Sequence, residues 1–125
     1  MLTQLHRLLC AQLSVLGCAV YQADAVPPDA TFPYVTLRIE PSLTMTGDGS
    51  VTMMSYHHGS SAHEERLATA DALSCIVPAS GLPLWLDCGL AVLYRPRQAS
   101  VTLCADHGVL GVSVRFDLRL YLNKT

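Results

Sequence analysis

The stretch VSVRFDLRLYLN, residues 112–123, carries the most regular pattern in the sequence. Apolar and polar residues alternate along it without exception. The apolar set comprises Val112, Val114, Phe116, Leu118, Leu120 and Leu122, and the polar set comprises Ser113, Arg115, Asp117, Arg119, Tyr121 and Asn123. Because successive side chains of a β-strand point to opposite faces of its sheet, the alternation predicts a long strand with one buried and one solvated face.

Shorter strands are predicted upstream of this long strand. Residues 34–40 alternate in the same way, with Val35, Leu37 and Ile39 on one side. Pro41 either ends the regular pairing of this strand or places the strand at an edge. Turn signals at Gly47-Asp48-Gly49 and Asp106-His107-Gly108 separate further strands. These predicted strands cover residues 19–22, 51–57, 88–95 and 100–105.

Two segments predict amphipathic helices. In the first segment, Leu2, Leu5, Leu9, Leu13 and Leu16 recur at helical spacing, and Gly17 is a stop signal. The second helix begins near Ser61, because Ser61-Ala62-His63-Glu64 matches a capping box. In that motif the serine and glutamate side chains satisfy reciprocal backbone N–H groups. The expected buried face of the second helix carries Leu67, Ala70, Leu73 and Val77, and Pro78 ends the helix.

The order of these elements predicts the fold class. A helix, a set of strands, a second helix and a second set of strands follow one another, and hairpin-length turns join many of the strands. This order is typical of an α+β fold with a mainly antiparallel β-sheet and two α-helices packed on one face. No repeat or long linker interrupts the chain, so residues 1–125 are expected to form a single domain.

The composition indicates a subunit of an assembly. Hydrophobic residues make up 50% of the 125 residues and charged residues only 14%, whereas a typical soluble domain has roughly 25% charged residues. A chain this apolar can bury enough surface to fold, which excludes disorder. A net charge of -2 argues against a dedicated nucleic-acid-binding protein, which needs a basic face.

The five cysteines do not form a recognisable motif. They are Cys10, Cys18, Cys75, Cys88 and Cys104. They contain no C-x-x-C pair, and their odd number and wide spacing do not fit an extracellular disulfide framework. They are expected to be buried free thiols in a reducing cytosol.

The N-terminal segment raises the question of a targeting signal. Residues 15–18, VLGC, resemble a lipoprotein cleavage box, which would make the chain a secreted lipoprotein. A secretory segment is apolar on all sides, however, and Thr3, Arg7 and Ser14 give this segment a polar side. The favoured interpretation is a helix of the folded domain. No membrane span is predicted, because the longest uncharged apolar stretch, 72–86, contains Pro78 and Pro83.

Three histidines form the only cluster of metal-capable side chains. His57, His58 and His63 lack helical i, i+4 spacing, and no complete zinc ligand set surrounds them. A solvated loop rich in histidine is the first interpretation. A pH-sensitive interface and a small metal- or ligand-binding domain remain alternatives. Since G-x-S-x-G and P-loop motifs are absent, no catalytic residue, metal ligand or cofactor is predicted, and the chain is not expected to be an enzyme.

Other residues are candidates for contacts with partner proteins. Methionine adapts to irregular partner surfaces, and Met45, Met53 and Met54 lie on or beside the Gly47-Asp48-Gly49 turn. This hairpin, including Asp48, is expected to reach a neighbouring subunit. Trp85 is expected either to pack in the core or to anchor an interface, because tryptophan is enriched at binding hot spots.

Several local strings resemble the tail-terminator, or tail-completion, proteins of long-tailed bacteriophages, which are related to tail-to-head joining proteins. The resemblance begins with the amphipathic helix and the Val20-Tyr21 strand after it. It continues through FPYVTL at 32–37, the helix EERLATADAL at 64–73, and HGVLG at 107–111 leading into the last strand. These patterns of elements and turns cover most of the chain.

The resemblance implies a structural virion protein. Such proteins form a ring, typically of six subunits, which ends polymerisation of the tail tube and joins the tail to head-completion proteins. The expected partners are further copies of this chain, the tail tube protein and a head-completion or neck protein. Genomic DNA would only pass through the lumen, and no membrane is involved. The expected location is the virion tail or neck, after assembly in the host cytoplasm. A head-completion or neck protein of the same connector is the nearest alternative.

Overall fold

The structure, a computed structural model, describes residues 2–41, 48–96 and 101–122. Its helices are α1 (Leu2–Leu13), a short 3-10 helix (Ser14–Leu16) and α2 (Ala62–Ile76). Its strands are β1 (Ala19–Gln22), β2 (Tyr34–Pro41), β3 (Asp48–His57), β4 (Leu82–Leu86), β5 (Gly89–Tyr94), β6 (Val101–Asp106) and β7 (Val109–Leu122).

The long strand β7 organises the sheet, as its alternation predicts. On one side it pairs with all ten residues of β3. On the other side it pairs with β6 through its first half and with β5 through its second half. The main path through the sheet is β1-β2-β3-β7-β5-β4, and every pairing is antiparallel except that of β1 with β2. The α+β fold with a mainly antiparallel sheet is therefore confirmed.

A single hydrophobic core lies on one face of this sheet. The apolar side chains of β7 face it together with their partners on β3, since Phe116 lies opposite Val51 and Val114 lies opposite Met53. Both helices add to the same core, α1 with Leu5, Leu9 and Leu13, and α2 with Ala70, Leu73 and Val77 just beyond its end. Both helices therefore pack on one face, which we call the helix face. The opposite face is called the open face.

The first helix is shorter than predicted. It ends at Leu13, and the 3-10 helix that follows ends at Leu16. Gly17 caps this helix with a positive φ of 70°, and its N–H donates to the carbonyl of Ser14. Leu5, Leu9 and Leu13 are fully buried, as predicted. Leu2 lies in the first turn and is 43% exposed, so its prediction as a buried residue was wrong.

The buried face of α2 agrees with the predicted face at Ala70, Leu73 and Val77 and differs from it at Leu67. Arg66 is buried and Leu67 is 44% exposed, which corrects the prediction for Leu67. The actual stripe runs through Ala62, Arg66, Ala70 and Leu73, and the long apolar stem of an arginine can pack in such a position. The predicted capping box is also absent. Ser61 makes no capping bond to the backbone, and its hydroxyl instead donates to Glu65 Oε1 at 2.9 Å.

One strand was missed in the sequence. β4 forms a hairpin with β5 around Asp87-Cys88, whereas the sequence predicted only a strand from 88 to 95. Pro83 conceals β4 because proline cannot donate to a ladder, but β4 lies at the end of the main path, where an edge strand tolerates it. β3 likewise begins at Asp48, so Asp48 and Gly49 belong to a strand instead of a turn. Ser100 lies outside the described residues, and β6 is described from Val101.

Met53 and Met54 lie on opposite faces of β3. Met53 is fully buried in the core, so the prediction that it contacts a partner protein was wrong. Met54 is half-buried on the open face, where its sulfur accepts a long hydrogen bond of 3.6 Å from the hydroxyl of Tyr56. Met45 lies outside the described residues.

The burial of the two methionines predicts different effects of truncation. Met53→Ala is expected to lower the free energy of unfolding by about 2–4 kcal/mol, because it leaves a cavity in the core. Met54→Ala, the matched control, is expected to cost about 1 kcal/mol or less. Urea unfolding of both variants measures these changes. Equal losses in the two variants would contradict the placement of Met53 in the core.

Candidate functional site: the open face of the sheet

A buried polar network joins the end of β3 to the start of α2. His57 is only 2% exposed, and its Nε2 lies 3.0 Å from the hydroxyl of Ser55. Its Nδ1 lies 3.6 Å from Glu65 Oε2, which is longer than a hydrogen bond. The hydroxyl of Ser61 holds the other carboxylate oxygen of Glu65. Burial lowers the pKa of His57, and the nearby Glu65 carboxylate offsets this effect only in part.

The order Ser55, His57, Glu65 is that of a serine nucleophile, its base and an orienting carboxylate. Ser55 is fully buried, however, and its neighbours across the sheet are Val35 and Val112. A nucleophile must reach its substrate, and no substrate can approach this hydroxyl from the core. We therefore assign the network a structural role, in which it connects α2 to β3.

The structure separates the three histidines of the predicted cluster. His57 is buried in a strand, so its prediction as part of a solvated loop was wrong. The ring of His58 lies 5.6 Å from that of Phe32, and Nδ1 of His63 lies 3.3 Å from a guanidinium nitrogen of Arg66. Among the described residues, no three His, Cys, Asp or Glu side chains come together as a metal site.

Aromatic side chains cluster on the open face of β1, β2 and β3. The ring of Tyr34 stacks on Tyr56 at 5.0 Å, meets Tyr21 edge-on at 5.8 Å and lies 5.4 Å from Phe32. Tyr21, Phe32, Tyr34 and Tyr56 are called the aromatic patch. Phe32 is 41% exposed, so the patch presents an apolar surface to solvent. The sequence alone does not predict this patch, because its members come from three strands and a loop.

A second apolar cluster crosses β4, β5 and β7. Trp85 lies opposite Leu90, and Leu90 lies opposite Tyr121, so the three side chains form a row on the open face. We call this row the Trp85 patch. Trp85 is 72% exposed and Tyr121 is 47% exposed. The alternative that Trp85 packs in the core was wrong, because its neighbours Leu84 and Leu86 take the buried side of β4.

A polar depression lies next to the Trp85 patch. It has a volume of about 530 Å³ and is lined by Asp48, Gly49, Tyr94, Asp117, Leu118 and Arg119. The guanidinium of Arg119 donates to Asp48 at 3.1 Å, so Asp48, a predicted contact residue, already has a charged partner within the same chain. Both side chains are about half exposed, so solvent screens the attraction between the two charges strongly.

The cysteines are less buried than the sequence suggested. Cys75 and Cys88 are exposed, on α2 and in the β4–β5 turn, so their prediction as buried thiols was wrong. Cys10 and Cys18 are free and partly buried, and burial raises the pKa of both thiols. The side chain of Cys104 lies outside the described part of the chain. Neither α1 nor α2 is long and apolar enough to cross a membrane.

Comparison with known proteins supports the fold alone. A solved protein structure is similar to this chain with a TM-score of 0.69, covering 88% of this chain and 84% of the other. The two sequences are 12% identical, so the match shows the same fold and carries no function. No protein-family model and no curated protein matches the sequence.

The buried position of His57 predicts a pH dependence of stability. Because burial lowers its pKa below the ordinary 6.5, the unfolded chain binds the proton more tightly than the folded chain. The free energy of unfolding is therefore expected to fall as the pH drops below about 6.5 and to recover above it. Urea unfolding between about pH 5.5 and about pH 7.5 measures this profile.

Two variants isolate the contribution of His57. His57→Asn keeps an amide that can bond to Ser55 but cannot titrate, and it is expected to flatten the profile. His58→Asn changes an exposed neighbour and is expected to leave the profile of the native chain. If His57→Asn retains the native pH dependence, the assignment to His57 is wrong.

Proposed function

We propose that this protein is a structural virion subunit that forms a homo-oligomeric ring of the tail-terminator type and has no catalytic role. The observation that carries the proposal is the presence of two different apolar patches on one open face. The aromatic patch lies on β1, β2 and β3, and the Trp85 patch lies on β4, β5 and β7.

Two different apolar patches are suited to the contacts of a closed ring. In a cyclic assembly each subunit contacts its two neighbours through different surfaces, whereas a two-fold dimer uses one surface twice. An exposed tryptophan is also a frequent anchor of protein interfaces. Removing the exposed 72% of Trp85 from water would stabilise an interface by about 3–4 kcal/mol, at about 25 cal/mol per Å².

The charge of the chain supports the proposed position in the virion. Tight binding of DNA requires Lys and Arg side chains that neutralise phosphates, and the net charge here is -2. A ring of such subunits would let genomic DNA slide through its lumen. In the proposed assembly one side of the ring contacts the tail tube protein, and the other contacts a head-completion or neck protein. The ring would sit at the head-proximal end of the tail.

Particle imaging of the purified protein tests the proposal. Negative-stain electron microscopy is expected to show closed rings with a central hole, with about six subunits as in the resembling family. Uniform small particles without a hole, at concentrations where the chain is fully folded, would overturn the proposed function. Open filaments would also contradict it, because a terminator ring must close.

Replacement of Trp85 is expected to weaken the ring without unfolding the subunit. Trp85→Asp places a charge in the proposed interface, so the concentration at which rings dissociate should rise by about ten-fold or more. Light scattering after size-exclusion chromatography measures that concentration. Val15→Asp is the matched control, since Val15 is 80% exposed but lies in the 3-10 helix outside both patches.

Two results would count against the role of Trp85. One is an unchanged assembly of Trp85→Asp. The other is an equal loss of assembly in Val15→Asp, which would indicate a general effect of added charge. Urea unfolding of both variants checks that the subunit remains folded.

A further inference from the structure

Two strand edges remain unpaired at the same level of the sheet. Around the first half of β7 the strands lie in the order β6-β7-β3-β2-β1. Among the described residues, β6 pairs only with β7, and β1 pairs only with β2. An unpaired strand edge is a template for another chain, and proteins usually blunt such edges with charge or proline. Residues 19–22 and 101–105 contain neither, and the one charged residue of β6, Asp106, is its last residue, next to the turn.

The two edges are in register across the subunit. Leu103 of β6 lies opposite Val112, which lies opposite Ser55; Ser55 lies opposite Val35, and Val35 lies opposite Val20 of β1. The first and last residues of this row, Leu103 and Val20, both point to the helix face, because directly paired residues share a face. Leu103 is 50% exposed there, since no described element covers it fully.

The turn between β6 and β7 shows which backbone groups of β6 are free. His107 and Gly108 have φ angles of 49° and 78°, the two positive values of a type I′ two-residue turn. In such a hairpin the flanking pair, Asp106 and Val109, exchanges hydrogen bonds. Bonded and unbonded positions alternate along an antiparallel strand, so the N–H and C=O of Leu103 and its alternate neighbours, residues 101 and 105, face away from β7.

A hydrogen bond just after the end of β1 shows which backbone groups of that strand point away from β2. The N–H of Ala23 bonds to the carbonyl of Leu37 at 3.1 Å. Since alternate residues bond in a parallel pair, Ala23 and Tyr21 face β2, whereas Val20 and Gln22 direct their backbone groups outward. The carbonyl of Gln22 already accepts a bond from Ala25, whereas no other described residue bonds to the N–H of Gln22 or to the outward groups of Val20.

These edges complement each other, and we propose that β6 of one subunit pairs antiparallel with β1 of the next, with Leu103 opposite Val20. The inference rests on the proposed ring and adds a backbone contact between its subunits to the contacts proposed for the two apolar patches. Within one subunit β6 runs antiparallel to β1, and rotation about a ring axis along the strands preserves that direction. Both residues direct their N–H and C=O groups into the junction.

The register also satisfies ring closure. Leu103 and Val20 are the two ends of one row of directly paired residues, so pairing them between subunits continues that row without a shift of register along the strands. A heterologous contact without rise closes into a ring, whereas a rise produces a helical filament. The junction places Val20 beside the exposed Leu103 on the helix face. β4 is less suited than β6 to pair with β1 of the next subunit, because Pro83 on its outer edge has no N–H to donate.

A proline substitution tests the backbone contact. Leu103→Pro removes an N–H that β7 does not use, so the subunit should fold while the ring population, measured by native mass spectrometry, falls by about ten-fold or more. Leu103→Ala removes the side chain but keeps the N–H and is expected to retain rings. Rings of native abundance in Leu103→Pro would overturn the proposed junction while leaving the proposed ring intact.

Cross-linking tests the register independently of proline. Paired residues that exchange hydrogen bonds have Cα atoms about 5.5 Å apart, within disulfide range. The double variant Val20→Cys with Leu103→Cys should therefore form covalent multimers up to the full ring on oxidation. The two sites lie about 19 Å apart along the sheet of one subunit, which excludes a bond within it. Val20→Cys with Thr102→Cys, which points to the open face, is the matched control.

The outcomes separate the inference from the function on which it rests. A ladder of cross-linked multimers in the double variant, absent from the control and from each single variant, supports the junction. Native rings without this ladder contradict the junction alone, as do products that stop at a dimer. Absence of rings in the unmodified chain contradicts both the junction and the proposed function.

Discussion

The structure depends on the pairing of β7 along both of its edges. This strand of fourteen residues holds all of β3 on one side and shares the other side between β5 and β6. Its alternating side chains divide the molecule into a helix face, where both helices complete the core, and an open face. Val112, Val114, Phe116 and Leu118 are buried in that core, where β7 packs against α2 as well as against its neighbouring strands.

The same pairing determines which apolar patches and strand edges are exposed on the surface of the protein. β5 and β6 pair with the same edge of β7, β6 along its first half and β5 along its second half. The two halves of the sheet therefore end in different strands on this side. The Trp85 patch lies on β4, β5 and the second half of β7. Among the described strands, β6 and β1 each have an unpaired edge at the level of the aromatic patch. A subunit with unlike surfaces at its two sides is suited to heterologous association. The low content of charged residues is consistent with the proposed association, since few charged side chains would have to be desolvated at these surfaces.

The sequence predicts the elements whose signal is local. The alternation of β7 and β2 and the leucine spacing of α1 follow directly from the periods of strands and helices. The burial of Arg66 in place of Leu67 could not be predicted in this way, because which of two adjacent helical residues is buried depends on the packing of α2 against β3 and β7. The strand β4 was concealed by Pro83, whose tolerance depends on a position at the edge.

The candidate site was harder to predict than the fold for the same reason. Trp85 was recognised as a candidate, but only the pairing of β4 with β5 shows that it faces solvent beside Leu90. The aromatic patch joins residues that are far apart in the chain, such as Tyr21 and Tyr56. Met53 and Met54 are adjacent and chemically identical, and only their alternation on β3 assigns one to the core.

The central claim is that this subunit hides apolar surface by closing on copies of itself. Native mass spectrometry of the unmodified chain over a range of concentrations measures this most directly. We expect a single closed species with a fixed subunit number, whose mass does not increase further as the concentration rises. A folded chain that remains a monomer at the highest concentration, or a distribution of masses that grows without limit, would contradict the account.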